Sequence, residues 1–464
     1  MQRILHCLIL AVALGTASLV SAQHLRRLVS FGFQPVLVND SIARVHALET
    51  PRGMLVSQVI SGTSFAGMGV AVGDILLQLN GENMDAWPAL MGIRADLAEG
   101  DKLTALVWRK GKEKRLRGTA VGRPREPATA QYEVIYGEAP FAGGHLRTLL
   151  NRPKSPGPHP TIYFLPGYPC SSLDGLNALH PYRKLIDSLA KLDYLIFRVE
   201  KPGVGDGPHP CECETTGFDK ELEVFAAGYD ALVETEGVDP EQIFVFGHSM
   251  GGIQAPILAS QGKIKPLGIA VYGIIFQSWY EYVLALLRFQ QPRVGDDYLE
   301  LEEKMKDYTQ LMYAHYVELK PLEEIVQNTR WKALLEKDFA LDAAGNILYR
   351  RAFYWQEICR HNVTAAWANT ESHVLSMFGE ADFEVFNEFS MSEITRIVNA
   401  YHPGHAQFRS FPGTDHNFIQ VGTAERGAEL KGTPAYREYL ATQFDYRVVT
   451  ALHNWIQEVL EKRG

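Results

Sequence analysis

The stretch from Ile243 to Ala259 limits what this chain can fold into more than any other segment. It begins with the apolar run 243–246, continues through Gly247-His248-Ser249-Met250-Gly251-Gly252, and ends in the helix-compatible segment 253–259. The pattern predicts a strand, a tight turn and a helix. Such a turn requires small residues because backbone approaches backbone, and it lifts a serine hydroxyl above the next helix N-terminus. An ordinary turn would also contain glycines, but this context favours Ser249 as a nucleophile.

The first 22 residues are typical of a secretory signal peptide. Arg3 gives a positive start, the segment 4–20 is apolar, and Ser21-Ala22 favours cleavage before Gln23. We therefore expect a periplasmic or secreted protein. A membrane anchor is the alternative, but small and polar residues interrupt the apolar run near its end. Nothing later resembles a spanning helix, so we expect no membrane span in the mature chain.

The overall composition argues against nucleic acid as a partner. The chain has 54 acidic and 45 basic residues among 464 and is 46 % hydrophobic. A mildly negative balance opposes binding to a phosphate backbone, and this hydrophobic content is that of a globular chain. The length is sufficient for two domains with separate cores.

Residues 24–122 have the pattern of a small, mainly-β domain. Short strands alternate with turn signals, of which Asn80-Gly81 is a strong type I′ signal, and a helix is predicted over 87–97. The region resembles a bacterial PDZ domain, and the resemblance depends on Gly53, Ser64-Phe65-Ala66-Gly67, Val72-Gly73-Asp74-Ile75-Leu76, Asn80-Gly81 and Gly100-Asp101-Lys102-Leu103.

That resemblance implies a peptide-binding role for one loop. The backbone amides of Ser30, Phe31, Gly32 and Phe33 would hold the C-terminal carboxylate of a peptide, and the peptide would add alongside as a strand. The alternative is a spacer domain that binds nothing. Residues 123–130 are polar, contain prolines and are predicted to be a linker.

Strands and helices alternate over residues 131–464, which predicts an α/β fold with a mainly parallel sheet. Residues 281–362 interrupt this alternation with long charged amphipathic helices and are predicted to form a helical cap. Trp279 and Tyr280 precede the cap and are candidates to line an apolar substrate pocket, although each could equally pack within the cap.

Two late strands end in residues suited to activate a serine. Asp382 follows the strand 373–379 and is the candidate acid, with Glu380 as the less favoured rival. His416 follows the last strand and is the candidate base; Asp415 is its sequence neighbour and is not expected to face the same imidazole. A serine hydroxyl needs an imidazole to take its proton, and the imidazole needs a carboxylate to set its tautomer.

The order Ser249, Asp382, His416 resembles that of the α/β-hydrolase superfamily over residues 131–463, closest to carboxylesterases and serine aminopeptidases. The resemblance implies an oxyanion hole made by the backbone N–H groups of Tyr168 and Met250. Pro166-Gly167 stands where the family often has His-Gly, so the loop that carries Tyr168 is expected to be braced differently.

Four cysteines remain after the predicted cleavage: Cys170, Cys211, Cys213 and Cys359. Neighbouring loops of the predicted sheet favour a disulfide from Cys170 to Cys211 or Cys213. His209 with the Cys-x-Cys pair is an incomplete zinc pattern. No cofactor or metal is implied.

Three functions remain open at this level. The first is a carboxylesterase that forms an acyl-enzyme with a small-molecule ester. The second is a peptidase that cleaves short peptides, with the PDZ-like domain binding their C-termini. The third is an adaptor with an inactive hydrolase fold, which the complete Ser-His-Asp set disfavours.

Overall fold

The computed structural model describes residues 24–262 and 265–463. The predicted signal peptide falls within residues 1–23 and therefore lies outside the described residues. Within the described ranges, no helix combines the length and the hydropathy that a membrane crossing requires.

The N-terminal part is built on an antiparallel sheet, so the predicted mainly-β fold of this region is confirmed. Among the described residues the sheet has the order β1-β2-β3-β5-β6, with β4 paired to β3. Asn80 and Gly81, in the turn between β3 and β4, both have positive φ, as a type I′ turn requires. The elements are β1 (Phe33–Leu37), α1 (Asp40–Val45), β2 (Met54–Val59), α2 (Ser64–Met68), β3 (Ile75–Leu79), β4 (Glu82–Asn83), α3 (Trp87–Asp96), β5 (Lys102–Arg109) and β6 (Lys112–Thr119).

The segment that precedes β1 joins the two parts of the chain. Arg27 is 5 % exposed and binds the carboxylates of Asp174 and Asp206, both of which belong to the C-terminal part. The predicted linker 123–130 has no helix or strand but is anchored, because Glu126 accepts a 2.9 Å hydrogen bond from Arg198. Buried pairs of this kind are costly to break, since removing one partner leaves an uncompensated charge.

The C-terminal part contains a sheet of eight strands among the described residues, in the order β16-β15-β12-β11-β9-β10-β8-β7. Neighbours from β9 to β16 are parallel, and β7 and β8 form an antiparallel edge. The strands are β7 (Tyr132–Phe141), β8 (Gly144–Pro153), β9 (Thr161–Leu165), β10 (Leu195–Val199), β11 (Ile243–His248), β12 (Gly268–Tyr272), the short cap pair β13 (Asn346–Ile347) and β14 (Arg350–Arg351), β15 (His373–Gly379) and β16 (Ala406–Phe411).

Helices cover both faces of this sheet, and a buried apolar core lies on each side. Strands β9 and β11 are buried on both faces, and their sequences are therefore almost entirely apolar rather than alternating. The predicted α/β-hydrolase fold is therefore confirmed. The helices are α4 (Pro181–Ala190), α5 (Phe218–Val233), α6 (Met250–Gln261), α12 (Val363–Ala368), α13 (Phe389–Tyr401), α14 (Ala424–Leu430), α15 (Pro434–Thr442) and α16 (Tyr446–Arg463), together with those of the predicted cap region, α7 (Trp279–Arg293), α8 (Tyr298–Met312), α9 (Leu322–Ile325), α10 (Thr329–Asp338) and α11 (Ala352–Ile358).

A disulfide links the loops that follow β9 and β10. It joins Cys170 to Cys213, with a Cα–Cα distance of 5.8 Å, so the predicted bridge from Cys170 is confirmed with Cys213 as its partner. Cys211 and Cys359 are free thiols.

We expect Cys213→Ser to destabilise the protein by about 4 kcal/mol, because the bridge closes a loop of 43 residues in the unfolded chain. Chemical denaturation of the oxidised protein measures this loss. Cys211→Ser is the matched control, since it removes a nearby free thiol and should leave the free energy of unfolding almost unchanged. Equal losses in both variants would contradict the assignment.

Candidate active site

Ser249 lies in a strained turn between β11 and α6. Its backbone has φ 53° and ψ −126°, and α6 begins at the next residue. The two flanking glycines are required by space: a Cβ at Gly247 would lie 2.6 Å from the Gly251 carbonyl oxygen, and one at Gly251 would lie 2.3 Å from the Leu165 oxygen. The predicted strand, turn and helix are therefore present, with the serine at the N-terminus of the helix.

Asp382 and His416 meet in the loops after β15 and β16. The Nδ1 atom of His416 lies 2.7 Å from Oδ2 of Asp382. The other carboxylate oxygen of Asp382 accepts 2.8 Å hydrogen bonds from the backbone N–H groups of Glu384 and Val385, which fix its orientation. Gly273 makes room for this pair, because a Cβ there would lie 2.9 Å from His416 Nδ1.

The two rival carboxylates bind elsewhere. Asp415 accepts 2.8 Å hydrogen bonds from the backbone N–H groups of Asn417 and Ile419, so it stabilises its own loop. Glu380 accepts a hydrogen bond from Ser410 at the protein surface. The geometry therefore pairs the imidazole with Asp382.

Ser249 and His416 border a common cavity of about 300 Å³. Ser249, His416, Tyr168 and Met250 all line it. The remaining lining residues are mostly apolar or aromatic and include Ile253, Ile274, Ile275, Trp279, Tyr282 and Val385, together with the carboxylate of Glu384.

Only one of the two predicted pocket aromatics reaches this cavity. Trp279 lines it and stacks on Trp355 with a centroid distance of 4.9 Å. Tyr280 does not line it, so that prediction is wrong: its ring packs against Tyr313 within the cap. Both lie on α7, where residues three apart share a face, and Tyr282 therefore occupies the place predicted for Tyr280.

A hydrogen-bond chain that the sequence did not reveal joins three loops of the site. The Gly167 N–H donates to the Tyr182 hydroxyl at 3.1 Å, and this hydroxyl lies 2.6 Å from Nδ1 of His248. His248 Nε2 donates to the His416 carbonyl oxygen at 2.8 Å, because a carbonyl can only accept. Burial holds the pKa of His248 well below its usual value, which keeps this imidazole neutral.

The two residues predicted to supply the oxyanion-hole amides, Tyr168 and Met250, both line this cavity. The N–H of Tyr168 has no hydrogen-bond acceptor among the described residues. Met250 is the first residue of α6, where backbone N–H groups lack partners within the helix. Neither N–H is therefore occupied by an acceptor among the described residues, and that of Met250 lies at the positive end of α6.

Activity should fall as the pH is lowered through a pKa above 6.5, the ordinary value for histidine. Burial alone would lower the pKa of His416, but the adjacent Asp382 carboxylate outweighs burial and raises it. A protonated imidazole cannot accept the serine proton, so the acid limb of a kcat/KM profile reports this group. In Asp382→Asn the acid limb of the residual activity should shift to lower pH. An acid limb at the same pH as in wild type would contradict the pairing of His416 with Asp382.

The loop predicted to bind a peptide carboxylate borders a separate cavity of about 360 Å³. This cavity lies between β1 and α3. The backbone N–H groups of Phe31 and Gly32 have no acceptor among the described residues. The lining residues are Val29, Ser30, Phe31, Gly32, Phe33, Pro35, Leu90, Met91, Arg94, Arg123 and Pro124.

The chain is similar to known proteins in two separate ways. A protein family described as alpha/beta hydrolase fold matches residues 160–286, which include Ser249. A probable periplasmic serine endoprotease, DegP-like, from Marinomonas sp. is 31 % identical over 111 residues, covering 22 % of this chain. This chain spans only 24 % of that relative's length.

Similar solved structures include an acylaminoacyl peptidase and the protein Est1E. The Pyrococcus horikoshii acylaminoacyl peptidase is 12 % identical with a TM-score of 0.41, and the match covers 74 % of this chain and 46 % of that one. Est1E from Butyrivibrio proteoclasticus is 14 % identical with a TM-score of 0.40, covering 64 % of this chain and 98 % of that one.

Proposed function

We propose that this chain is an exported serine hydrolase that cleaves carboxylic esters. The observation that carries the proposal is the 2.7 Å contact of His416 Nδ1 with Asp382, in a cavity that also exposes Ser249. Export is proposed from the signal-like residues 1–22 and agrees with the periplasmic proteases to which part of the chain is similar.

The proposed reaction is acyl transfer through a covalent intermediate. Ser249 Oγ attacks the ester carbonyl carbon while its proton passes to His416, and the carbonyl electrons move onto the oxygen between the Tyr168 and Met250 amides. When the C–O bond to the alcohol breaks, the departing alcohol takes the proton from His416. Water then attacks the acyl-enzyme by the same route and releases the acid and free Ser249.

The walls of the cavity favour a neutral, apolar acyl group. Ile274, Ile275 and Trp279 line it, and the one carboxylate, Glu384, is already paired with Lys431. A volume of about 300 Å³ matches a small ligand rather than a folded polypeptide.

A panel with matched leaving groups tests the ester preference. p-Nitrophenyl esters of acetate to octanoate would be compared with p-nitroanilides of the same acids and of single amino acids. We expect the ratio of kcat/KM for the best ester to kcat/KM for each anilide to be larger than the ratio of the uncatalysed hydrolysis rates of the same two substrates. Higher relative activity on the aminoacyl anilides would instead establish a peptidase. If the protein has no activity and no fluorophosphonate labelling, the remaining function is that of an adaptor with an inactive hydrolase fold.

The groove beside β1 supports a second function, binding of peptide C-termini by a PDZ-like domain. β1 is the edge strand of its sheet, so a peptide can add to it. Arg94 and Arg123 line the same cavity as Phe31 and Gly32, whose amides have no described acceptor, and this combination of positive charge and N–H donors suits a terminal carboxylate.

Fluorescence polarisation with a library of random labelled peptides tests this binding. Peptides with a free C-terminal carboxylate should bind saturably, and the same peptides ending in an amide should not. Arg94→Met should weaken the binding, whereas Arg52→Met, a change on the exposed surface of the same domain, should not. If both kinds of peptide bind equally, or neither binds, the domain does not recognise peptide C-termini and the spacer alternative remains.

A further inference from the structure

Three buried charged side chains from distant segments meet beneath the loop that carries Tyr168. Lys201 follows β10, Glu221 lies on α5 and Arg350 lies on β14 of the cap. Their exposed fractions are 2 %, 0 % and 0 %. The proposed reaction does not use any of them, and a buried charge is expensive to maintain, so their role requires an explanation.

The two cations bind carbonyl oxygens of consecutive residues in that loop. Lys201 Nζ donates to the Gly167 oxygen at 2.8 Å and to the Tyr168 oxygen at 3.0 Å. Arg350 Nη1 donates to the same Tyr168 oxygen at 2.8 Å. Glu221 is paired with both cations, since it accepts a 3.1 Å hydrogen bond from Lys201 and one of 2.8 Å from Arg350.

The Gly167 carbonyl and the Tyr168 N–H belong to one peptide group. This bond is trans, because the only cis peptide among the described residues joins Gly207 and Pro208. In a planar trans peptide the C=O and N–H bonds point in opposite directions. When the carbonyl of Gly167 is held on Lys201, the N–H of Tyr168 is therefore directed away from Lys201.

A cation on the carbonyl oxygen also changes the strength of the N–H donor. Hydrogen bonds polarise one another along a peptide group, and a charged partner in a buried setting increases this effect. The Gly167 N–H is held as well, by Tyr182, so the peptide groups on both sides of Gly167 are fixed. This arrangement supplies the different bracing that Pro166-Gly167 leads us to expect.

We propose that Lys201 and Arg350 are positioning residues for the oxyanion loop: Lys201 aims and polarises the Tyr168 N–H through the Gly167 carbonyl, and Arg350 holds Tyr168 in place through its own carbonyl. The proposal rests on the proposed serine hydrolase function. It also makes the donor depend on the cap, because Arg350 reaches the loop from a cap strand. Neither cation touches the substrate; each acts through the backbone of Gly167 and Tyr168.

Kinetics of Lys201→Met test the proposal. A donor that acts on the oxyanion stabilises the transition state more than the bound ester, so kcat should fall by about 10²-fold while KM changes by less than threefold. Affinity for a trifluoromethyl ketone should fall by a similar factor. In that complex Ser249 Oγ bonds to the ketone carbon, the hydroxyl proton passes to His416 and the ketone oxygen becomes the oxyanion.

Two further variants distinguish the loss of a positioning contact from misfolding. Lys201→Leu removes the same cation without a polar replacement, leaves Glu221 paired with Arg350, and should show the tenfold or greater loss of ketone affinity in a folded protein. Arg350→Lys keeps a cation near the Tyr168 oxygen and should retain more kcat than Arg350→Met. Thermal melting and circular dichroism would identify any variant that fails to fold.

Arg198→Met is the matched control. Arg198 is equally buried, binds the carboxylate of Glu126 and donates at 2.7 Å to the Leu173 oxygen of the same loop, away from the donor peptide. It should lower thermal stability but leave kcat and ketone affinity within about threefold. Folded Lys201 variants with unchanged kcat, or an equal kinetic loss in Arg198→Met, would overturn the proposal. If wild type hydrolyses no ester and reacts with no fluorophosphonate, the proposed function itself fails.

Discussion

Ser249→Ala is expected to lower kcat on a p-nitrophenyl ester by about 10⁵-fold or more, with the fold unchanged. Without Oγ no acyl-enzyme can form, and only the amide donors and substrate binding remain to assist attack by water. The substitution itself should be tolerated, because the strained backbone at φ 53° is imposed by the packing of Gly247 and Gly251 around it.

A second serine on the same helix is the control for this result. Ser260 lies near the end of α6 and donates to the Ile257 oxygen at 2.8 Å. Ser260→Ala should keep kcat within about twofold of wild type, as surface changes usually do. A Ser249→Ala protein that retains more than a hundredth of the activity would contradict a covalent mechanism at this residue.

Asp382→Asn is expected to lower kcat by about 10⁴-fold without loss of folding. The backbone N–H groups of Glu384 and Val385 would hold the amide oxygen, which turns the amide NH2 toward His416 Nδ1. The imidazole would then carry its proton on Nε2, the nitrogen that must accept the proton of Ser249. The effect therefore comes from the wrong tautomer rather than from lost packing.

The rival carboxylates supply matched controls. Asp415→Asn and Glu380→Gln change the same chemical group nearby, but neither carboxylate contacts the imidazole. Each should reduce kcat by less than tenfold. A larger loss in either variant than in Asp382→Asn would reassign the acid.

The turn at Ser249, and Asp382 and His416 after the last two strands, could be predicted because their sequence signals are local. The turn at Ser249 needs small neighbours within two positions, and parallel strands bring Asp382 and His416 to one edge of the sheet. The choice of Cys213 over Cys211 depended on the path of one loop, which spacing alone does not determine.

The bracing of the site could not be predicted because it depends on contacts between distant segments. Lys201, Glu221 and Arg350 come from a loop, a helix and the cap, and only the folded chain shows that they share carbonyl groups. The pocket prediction at Tyr280 was wrong for a related reason: it assumed that neighbours in sequence face the same way, whereas a helix directs Trp279 and Tyr282 together.

The most direct test of the central claim is to map the residue modified by a fluorophosphonate. Intact mass spectrometry should show one adduct on the mature protein, and the peptide that carries it should contain Ser249. Lowering the pH protonates His416, and this should slow labelling and ester hydrolysis in parallel. An adduct on any other residue, or an active esterase that acquires no adduct, would contradict the account.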